Sequence, residues 1–254
     1  MDFAISDFFE PISATRYIGS ENYTKVEGYL NALKAVSKIC DLSYYIVDYY
    51  RKNFFYVSPN PLLLSGYSRE EVLKMGFDFY VNCVPPEDLK LLFELNVAGF
   101  KFFYDLPVEI REHATISYDF RLKNKDLGSL IMINHKLAPL LLTEDGNIWM
   151  AICLVTLCSR KESGDVHIIM QNDNSRFNFN IENKTFEAAQ NTVLTKREKE
   201  ILKFIAIGDR IEVISQKLKI SESTIKNHKT QIFKKLHVSN NAEAVFYASK
   251  QNII

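Results

Sequence analysis

The residues best suited to chemistry lie near the C-terminus, in the run Ser221-Glu222-Ser223-Thr224-Ile225-Lys226-Asn227-His228-Lys229-Thr230-Gln231-Ile232-Phe233-Lys234-Lys235-Leu236. Ser221 can cap a helix by accepting from the backbone N–H groups that lack partners in its first turn. Ile225, Ile232, Phe233 and Leu236 recur at helical spacing and give one apolar face. The other face carries Lys226, Asn227, Lys229, Thr230 and Lys234. Its chemistry is non-covalent: ammonium groups suit phosphates, and short amide and hydroxyl groups suit base edges in a major groove. Taken alone, such a helix is an ordinary solvated one, so the elements that position it decide.

Those elements are short helices. Thr195-Lys196-Arg197-Glu198 is a capping box, and Ile201, Leu202, Ile205 and Ala206 form the expected buried stripe of a first helix that Gly208 ends. A second helix is expected to turn Val213, Ile214 and Leu218 inward, and Lys219-Ile220-Ser221 turns tightly into the helix described above. Residues 242–251 read as a fourth helix bearing Ala244, Val245, Phe246 and Ala248. Two helices joined by a tight turn within such a set make a helix-turn-helix unit. The charge distribution agrees. From Gln190 onward there are 12 Lys+Arg against 6 Asp+Glu; the chain has 31 of each, which leaves 19 against 25 before it. A neutral total hides a basic domain joined to an acidic one, and a local cationic excess is what phosphate requires.

At this point the residues resemble a known family. Leu194-Thr195-x-Arg197-Glu198-x-Glu200-Ile201-Leu202, Ala206-x-Gly208, Ile214-x-x-x-Leu218-x-Ile220-Ser221-x-x-Thr224-Ile225-Lys226-x-His228, Ile232-x-x-Lys235-Leu236-x-Val238 and Glu243-Ala244-Val245 look like the LuxR-type (FixJ/NarL-type) DNA-binding domain. The resemblance implies base reading by Lys226, Asn227 and Thr230, and phosphate contacts from Thr224 and Lys229. His228 would sit at the rim or simply pack as a half-buried helix residue. Arg210-Ile211-Glu212 departs from the family's Ser-Asn-Lys-like run, and Asn241 stands where an Arg is usual; Arg210 could replace a lost phosphate contact. The fourth helix would make a dimer contact through Val245, Ala248 and Ser249, with packing inside the protomer as the competing role for Val245. The implied partners are double-stranded DNA, a second copy of the chain and RNA polymerase.

Ahead of this domain the period changes. Residues 1–20 are an aromatic-rich arm, either loose or docked, and residues 21–38 read as a helix with Val26, Tyr29, Leu30, Leu33 and Val36 on one side. Tyr44-Tyr45-Ile46-Val47-Asp48 and Phe54-Phe55-Tyr56-Val57 flank a polar turn as a hairpin. Ser68 and Glu71 form another capping box, and Pro85-Pro86-Glu87-Asp88-Leu89 opens a long helix towards Phe103. Ile116, Tyr118, Phe120 and Leu122 alternate with Ser117, Asp119, Arg121 and Lys123, the pattern of a strand with one wet face. Residues 130–142 and 148–157 are further strands about the turn Glu144-Asp145-Gly146-Asn147, the second of them central and buried.

Through Ile46-Val47-Asp48, Tyr56-Val57-Ser58-x-Asn60, Gly66-Tyr67-Ser68-x-Glu70-Glu71, Pro86-Glu87-Asp88-Leu89, Phe120-Arg121-Leu122, Gly128-Ser129 and Asp145-Gly146, residues 40–160 resemble a PAS domain. Val84-Pro85 stands where that family usually has a His. The resemblance implies a cup that is either filled, serving dimerisation, or open to a small-molecule signal. No cofactor is evident. Asn82-Cys83 resembles a flavin-adduct site, but Val84-Pro85-Pro86-Glu87 follows it, which points to an inert buried thiol. His113 reads as a solvated loop residue, and His135 and His167 lie in strand-like segments without partners at metal spacing. The 13 Tyr and 18 Phe suffice either to line a pocket or to fill it.

The expected class is α+β: an arm and helix over 1–38, a PAS-like domain over 39–160, a β-hairpin and linker over 161–193, and an all-α helix-turn-helix domain over 194–254. The 254 residues suit two domains, and no run reaches the ~20 apolar residues that span a bilayer. Four cysteines without a C-x-x-C pair suggest reduced thiols, and with no signal peptide the expectation is a cytoplasmic protein without membrane contact. No Gly-rich phosphate loop, H-E-x-x-H or G-x-S-x-G occurs, so enzyme chemistry is not expected. The competing function is an interaction adaptor whose helical domain no longer reads DNA.

Overall fold

Among the residues described in the computed structural model (8–9, 17–173, 175–189, 194–236, 238, 240–250 and 253–254), the larger unit is built on one eight-stranded sheet. Its strands are β1 (Ser43–Asp48), β2 (Asn53–Val57), β3 (Ala114–Lys123), β4 (Leu130–Leu142), β5 (Ile148–Leu157), β6 (Gly164–Met170), β7 (Arg176–Asn180) and β8 (Thr185–Ala188). Every neighbouring pair is antiparallel, and the order is β2-β1-β5-β4-β3-β6-β7-β8. α1 (Ser20–Cys40) precedes β1, and α2 (Pro61–Leu64), α3 (Arg69–Met75), α4 (Asp78–Cys83) and α5 (Pro86–Asp105) lie between β2 and β3. The order β2-β1-β5-β4-β3 with helices inserted after β2 is PAS-like. The chain divides into two compact units, Met1–Ala188 and Ala189–Ile254.

The strand period assigns each side chain to a layer. On β1, Tyr45 and Val47 enter the large core under the inserted helices, while Tyr44 and Ile46 enter a second core beneath α1 with Val26, Leu30, Tyr56, Trp149 and Met150. β1 and β5 are therefore apolar on both faces, as central strands covered twice must be. The turn into β5 passes through Gly146 at φ +75°, a conformation that a side chain would strain. The capping box on α3 is present, with Ser68 Oγ accepting from Glu71 N at 3.1 Å and Glu71 Oε2 accepting from Ser68 N at 2.6 Å.

One expectation for β3 fails. Ser117 and Asp119, assigned to a wet face, are buried at 3% and 1% exposure. β6 pairs with β3 alongside them, Asn134 donates to both side chains, and Arg160 approaches Asp119 at 3.2 Å. The hairpin expected after β5 forms as β6 and β7, and with β8 it continues the sheet, with Phe102 of α5 packed on Phe177 and Phe186. Of the N-terminal arm, Phe8 and Phe9 are docked and buried, and Asn96 donates to the Phe8 carbonyl at 2.5 Å.

The smaller unit contains α6 (Lys196–Ala206), α7 (Ile211–Leu218), α8 (Glu222–Leu236) and α9 (Asn241–Lys250) around Leu194, Ile201, Leu202, Ile214, Ile225, Ile232, Leu236, Ala244 and Ala248. Ala206 and Val213 are exposed, contrary to the pattern read from sequence. Ala206 is the last residue of α6, beyond the core, and α7 turns Ile211, Ile214 and Leu218 inward at i, i+3 and i+7, leaving Val213 on the flank.

Candidate nucleic-acid interface and interior cavity

α8 is held from both ends. Ser221 Oγ accepts from Thr224 N at 3.1 Å and lies within hydrogen-bond distance of the Ser223 and Thr224 hydroxyls, so the helix start is fixed. At the far end Lys235 donates to both carboxylate oxygens of Glu198, at 2.9 and 2.7 Å. Glu198 is 3% exposed and also completes the α6 capping box, accepting from Thr195 N at 2.7 Å. Burial alone would raise its pKa, but the Lys235 ammonium and the Thr195 bonds together hold it below the usual carboxylate range. Arg197 donates to the Leu218 carbonyl at 2.7 Å and ties α6 to the end of α7, just before the turn. Neither contact was read from the sequence; the available signal was a capping-box Glu in a domain with a Lys one position before an apolar seam residue.

With Ile225, Ile232 and Leu236 buried, helical geometry turns Lys226, Asn227 and Thr230 to solvent, and all three are exposed. The Thr230 hydroxyl donates to the Lys226 carbonyl at 3.1 Å, which leaves its oxygen lone pairs for a partner. Thr224, His228 and Lys229 are half-buried along the edge of the same face. Lys229 lies 5.3 Å above the Phe233 ring. Arg210, Lys229 and Asn241 border one cleft where α7, α8 and α9 meet, together with Asp209 and Glu212. Among the described residues, Lys226, Lys229, Lys234 and Arg210 have no carboxylate partner within ion-pair distance.

The expected dimer contacts divide. Ser249 is exposed and Val245 half-buried, but Ala248 is 0% exposed inside the four-helix core. Ala248 therefore cannot meet a partner; its small side chain allows α9 to pack closely within the protomer.

The sensor-like unit holds a cavity of about 110 Å³ between the sheet and α4 and α5. Its wall is aromatic and aliphatic, and among the described residues no Asp, Glu, Lys or Arg borders it. The polar groups there are neutral. Tyr45 Oη lies 2.6 Å from His135 Nε2 and also bonds Tyr80 Oη. His135 is 1% exposed, its pKa is pushed down to about 3 by burial, and its Nδ1 has no hydrogen-bond partner among the described residues. Burial also pushes the Tyr45, Tyr49, Tyr80 and Tyr118 phenols well above their ordinary range and the Cys153 thiol up to about 12. Cys83, the residue in the flavin-like context, is buried with its thiol pushed up to about 12, as expected of an unreactive cysteine. His113 is half-exposed, and His167 is buried with Nδ1 2.9 Å from the Asp165 carbonyl. No group of three metal-ligating side chains occurs among the described residues, and no described helix is long and apolar enough to cross a membrane.

Fold and site together define a PAS-like unit followed by a four-helix helix-turn-helix unit. The family model described as "Bacterial regulatory proteins, luxR family" matches residues 192–248, and this part of the chain is a LuxR-family domain. Over 67 residues the chain is 40% identical to the CsgBAC operon transcriptional regulatory protein of Escherichia coli K12, covering 26% of this chain and 31% of that protein. Over 95 residues it is 35% identical to the oxygen regulatory protein NreC of Staphylococcus aureus, covering 36% and 44%. The chain thus spans less than half the length of these curated relatives. Among solved structures, the phage VqmA–DPO complex aligns over 89% of this chain and 88% of that one at 16% identity, with a TM-score of 0.31.

Proposed function

We propose that the chain is a sequence-specific DNA-binding regulator of transcription, not an enzyme, whose PAS-like unit sets the activity of its helix-turn-helix unit. The observation that carries the proposal is the outward placement of Lys226, Asn227 and Thr230 on a helix anchored through Ile225, Ile232 and Leu236. Lys226 and Asn227 supply donors for base edges, Thr224, Lys229 and Arg210 supply phosphate contacts, and His228 borders them. The match to a family of regulators supports the reading. The working form is a homodimer, with each α8 in a major groove on half-sites about one helical turn (~34 Å) apart. Val245 and Ser249 remain as its α9 contacts, and RNA polymerase is the downstream partner.

Selection of bound sequences from a random duplex pool, followed by titration of the selected site, tests this. Affinity should fall steeply with salt, and Lys226→Ala and Asn227→Ala should each cost roughly 1–3 kcal/mol on the selected site. Failure to enrich any sequence, with both variants binding every duplex as the parent does, returns the chain to the adaptor reading.

A further inference from the structure

We infer that Thr230 reads a thymine through its methyl group, so that the preferred DNA site carries a thymine close to the base pair contacted by Lys226. This deepens the DNA-binding reading above and rests on it.

The hydroxyl comes first. A threonine hydroxyl has one proton to donate, and that of Thr230 goes to the Lys226 carbonyl one turn back, at 3.1 Å. The proton is therefore withheld from guanine O6 and N7, adenine N7 and thymine O4, the acceptors that line a major groove. The same bond holds the side chain in one rotamer. With Oγ1 kept against the carbonyl of the preceding turn, the methyl group takes a staggered position directed away from it. A duplex approaching this exposed residue meets the methyl group, with the oxygen drawn back towards the helix backbone.

The second argument is what the groove offers in return. Of the four bases, thymine alone presents an apolar group there, its 5-methyl. A methyl group pressed on the edge of guanine, adenine or cytosine covers a polar atom without bonding it, which costs free energy. The contact thus favours thymine and disfavours the other three.

Position is the third. Lys226 and Thr230 are four residues apart on α8, which is about 6 Å along the helix. Base pairs follow one another at about 3.4 Å, so the two side chains reach pairs roughly one or two steps apart. Lys226, with only donors, suits guanine O6 and N7, and Thr230 supplies the apolar half of the same short sequence.

The experiment uses the full chain and the duplex that it selects from a random pool. Replacing each thymine of that duplex in turn by uracil removes one methyl group and leaves base pairing unchanged. One replacement, within two steps of the pair that Lys226→Ala ceases to discriminate, should weaken binding about fourfold, the worth of one buried methyl group. Thr230→Ser keeps the hydroxyl and deletes the protein's methyl group, so it should bind the thymine and uracil duplexes equally. Thr230→Val keeps a methyl group and deletes the hydroxyl, so it should still prefer thymine. Thr230 is exposed, so neither change disturbs the core, and the uracil duplexes test the parent without any variant. A selected site with no thymine there, a parent indifferent to every uracil, or a Ser variant that still discriminates would overturn the inference. If the chain selects a sequence and gives one of these results, the DNA-binding reading stands and this inference alone falls. If it selects none, both fall.

Discussion

Two regions of this chain, the outer face of α8 and the interior of the PAS-like unit, use polar groups in opposite ways. On α8 the side chains offered to a partner are exposed cations, an amide and a hydroxyl, and water already satisfies them. In the PAS-like unit the polar groups at the cavity are neutral, and one of them, the buried His135 Nδ1, has no hydrogen-bond partner among the described residues. An exposed cationic face attracts over distance and is screened by salt; a buried neutral site reads shape and one hydrogen bond and ignores salt. The exposed face of α8 and the buried interior of the PAS-like unit therefore draw on different residues. The contrast can be broken by substitutions that affect one region's stability and leave the other's recognition intact.

The largest effect belongs to the anchor of the exposed face. Ile225 is 0% exposed and adjoins Lys226 in sequence, yet the two should behave as opposites. Ile225→Ala should cost about 2–5 kcal/mol of the helical unit's stability, read from its denaturation midpoint. Lys226→Ala should change stability by under about 0.5 kcal/mol while weakening the selected DNA site. Similar stability losses for the two would mean that α8 is not oriented as described.

The buried site gives the next effect, and its sign can be worked out. Unfolded, His135 binds a proton below about pH 6.5; folded, burial holds the ring neutral until about pH 3. The unfolded state therefore holds more protons in this window, and stability falls as pH falls from 6.5, by about 1.4 kcal/mol per unit. Carboxylates with lowered pKa, such as Asp88 beside Arg121, add their own loss from about pH 5 downward, so the histidine's share is the part that His135→Phe removes. Urea midpoints of the PAS-like unit between about pH 6.5 and 5 should slope for the parent and be flat for His135→Phe. Parallel slopes would show that the ring titrates when folded, and the contrast between the two regions would weaken.

The same contrast explains what the sequence disclosed. Surface recognition by a helix is written locally: Ile225, Ile232 and Leu236 at helical spacing fix which side Lys226, Asn227 and Thr230 must face, and no distant residue is needed. The strands were legible from local signals too: β3 alternates apolar and polar residues, and β1 and β5 are short apolar runs beside turn residues. The cavity was not legible. His135 on β4 meets Tyr45 on β1, and Tyr45 meets Tyr80 on α4, only after the fold brings residues 90 and 35 positions apart together, and no spacing in the chain announces it. Ser117 and Asp119 misled in the same way, because their polar character predicted solvent while β6 and Arg160 covered them. Ala248 failed at the level of packing: helical spacing alone does not say which protomer covers a small residue.

A smaller effect separates the two roles of Glu198. Glu198→Gln retains a side chain that can accept from Thr195 N but leaves the Lys235 ammonium without its counter-charge. The loss should be about 1–2 kcal/mol in the helical unit, because the bond to a charged partner is replaced by a neutral one. The parent's advantage should shrink as pH falls through the lowered pKa of Glu198, since that contribution exists only while the carboxylate is ionised.

The smallest effect tests whether α8 is positioned mainly by its core or by its cap. Ser221 is exposed, and its oxygen accepts from Thr224 N in the first turn of the helix. Ser221→Ala removes that acceptor and should cost about 0.5–1 kcal/mol of stability, which water partly restores at an exposed helix end. The helix register is fixed independently by three buried residues, so Lys226 and Asn227 keep their orientation and DNA affinity should change less than twofold. A tenfold loss of affinity with this small loss of stability would place Ser221 itself, or the N–H groups it caps, against the phosphate backbone. The recognition face would then begin one turn earlier than the exposed residues alone indicate.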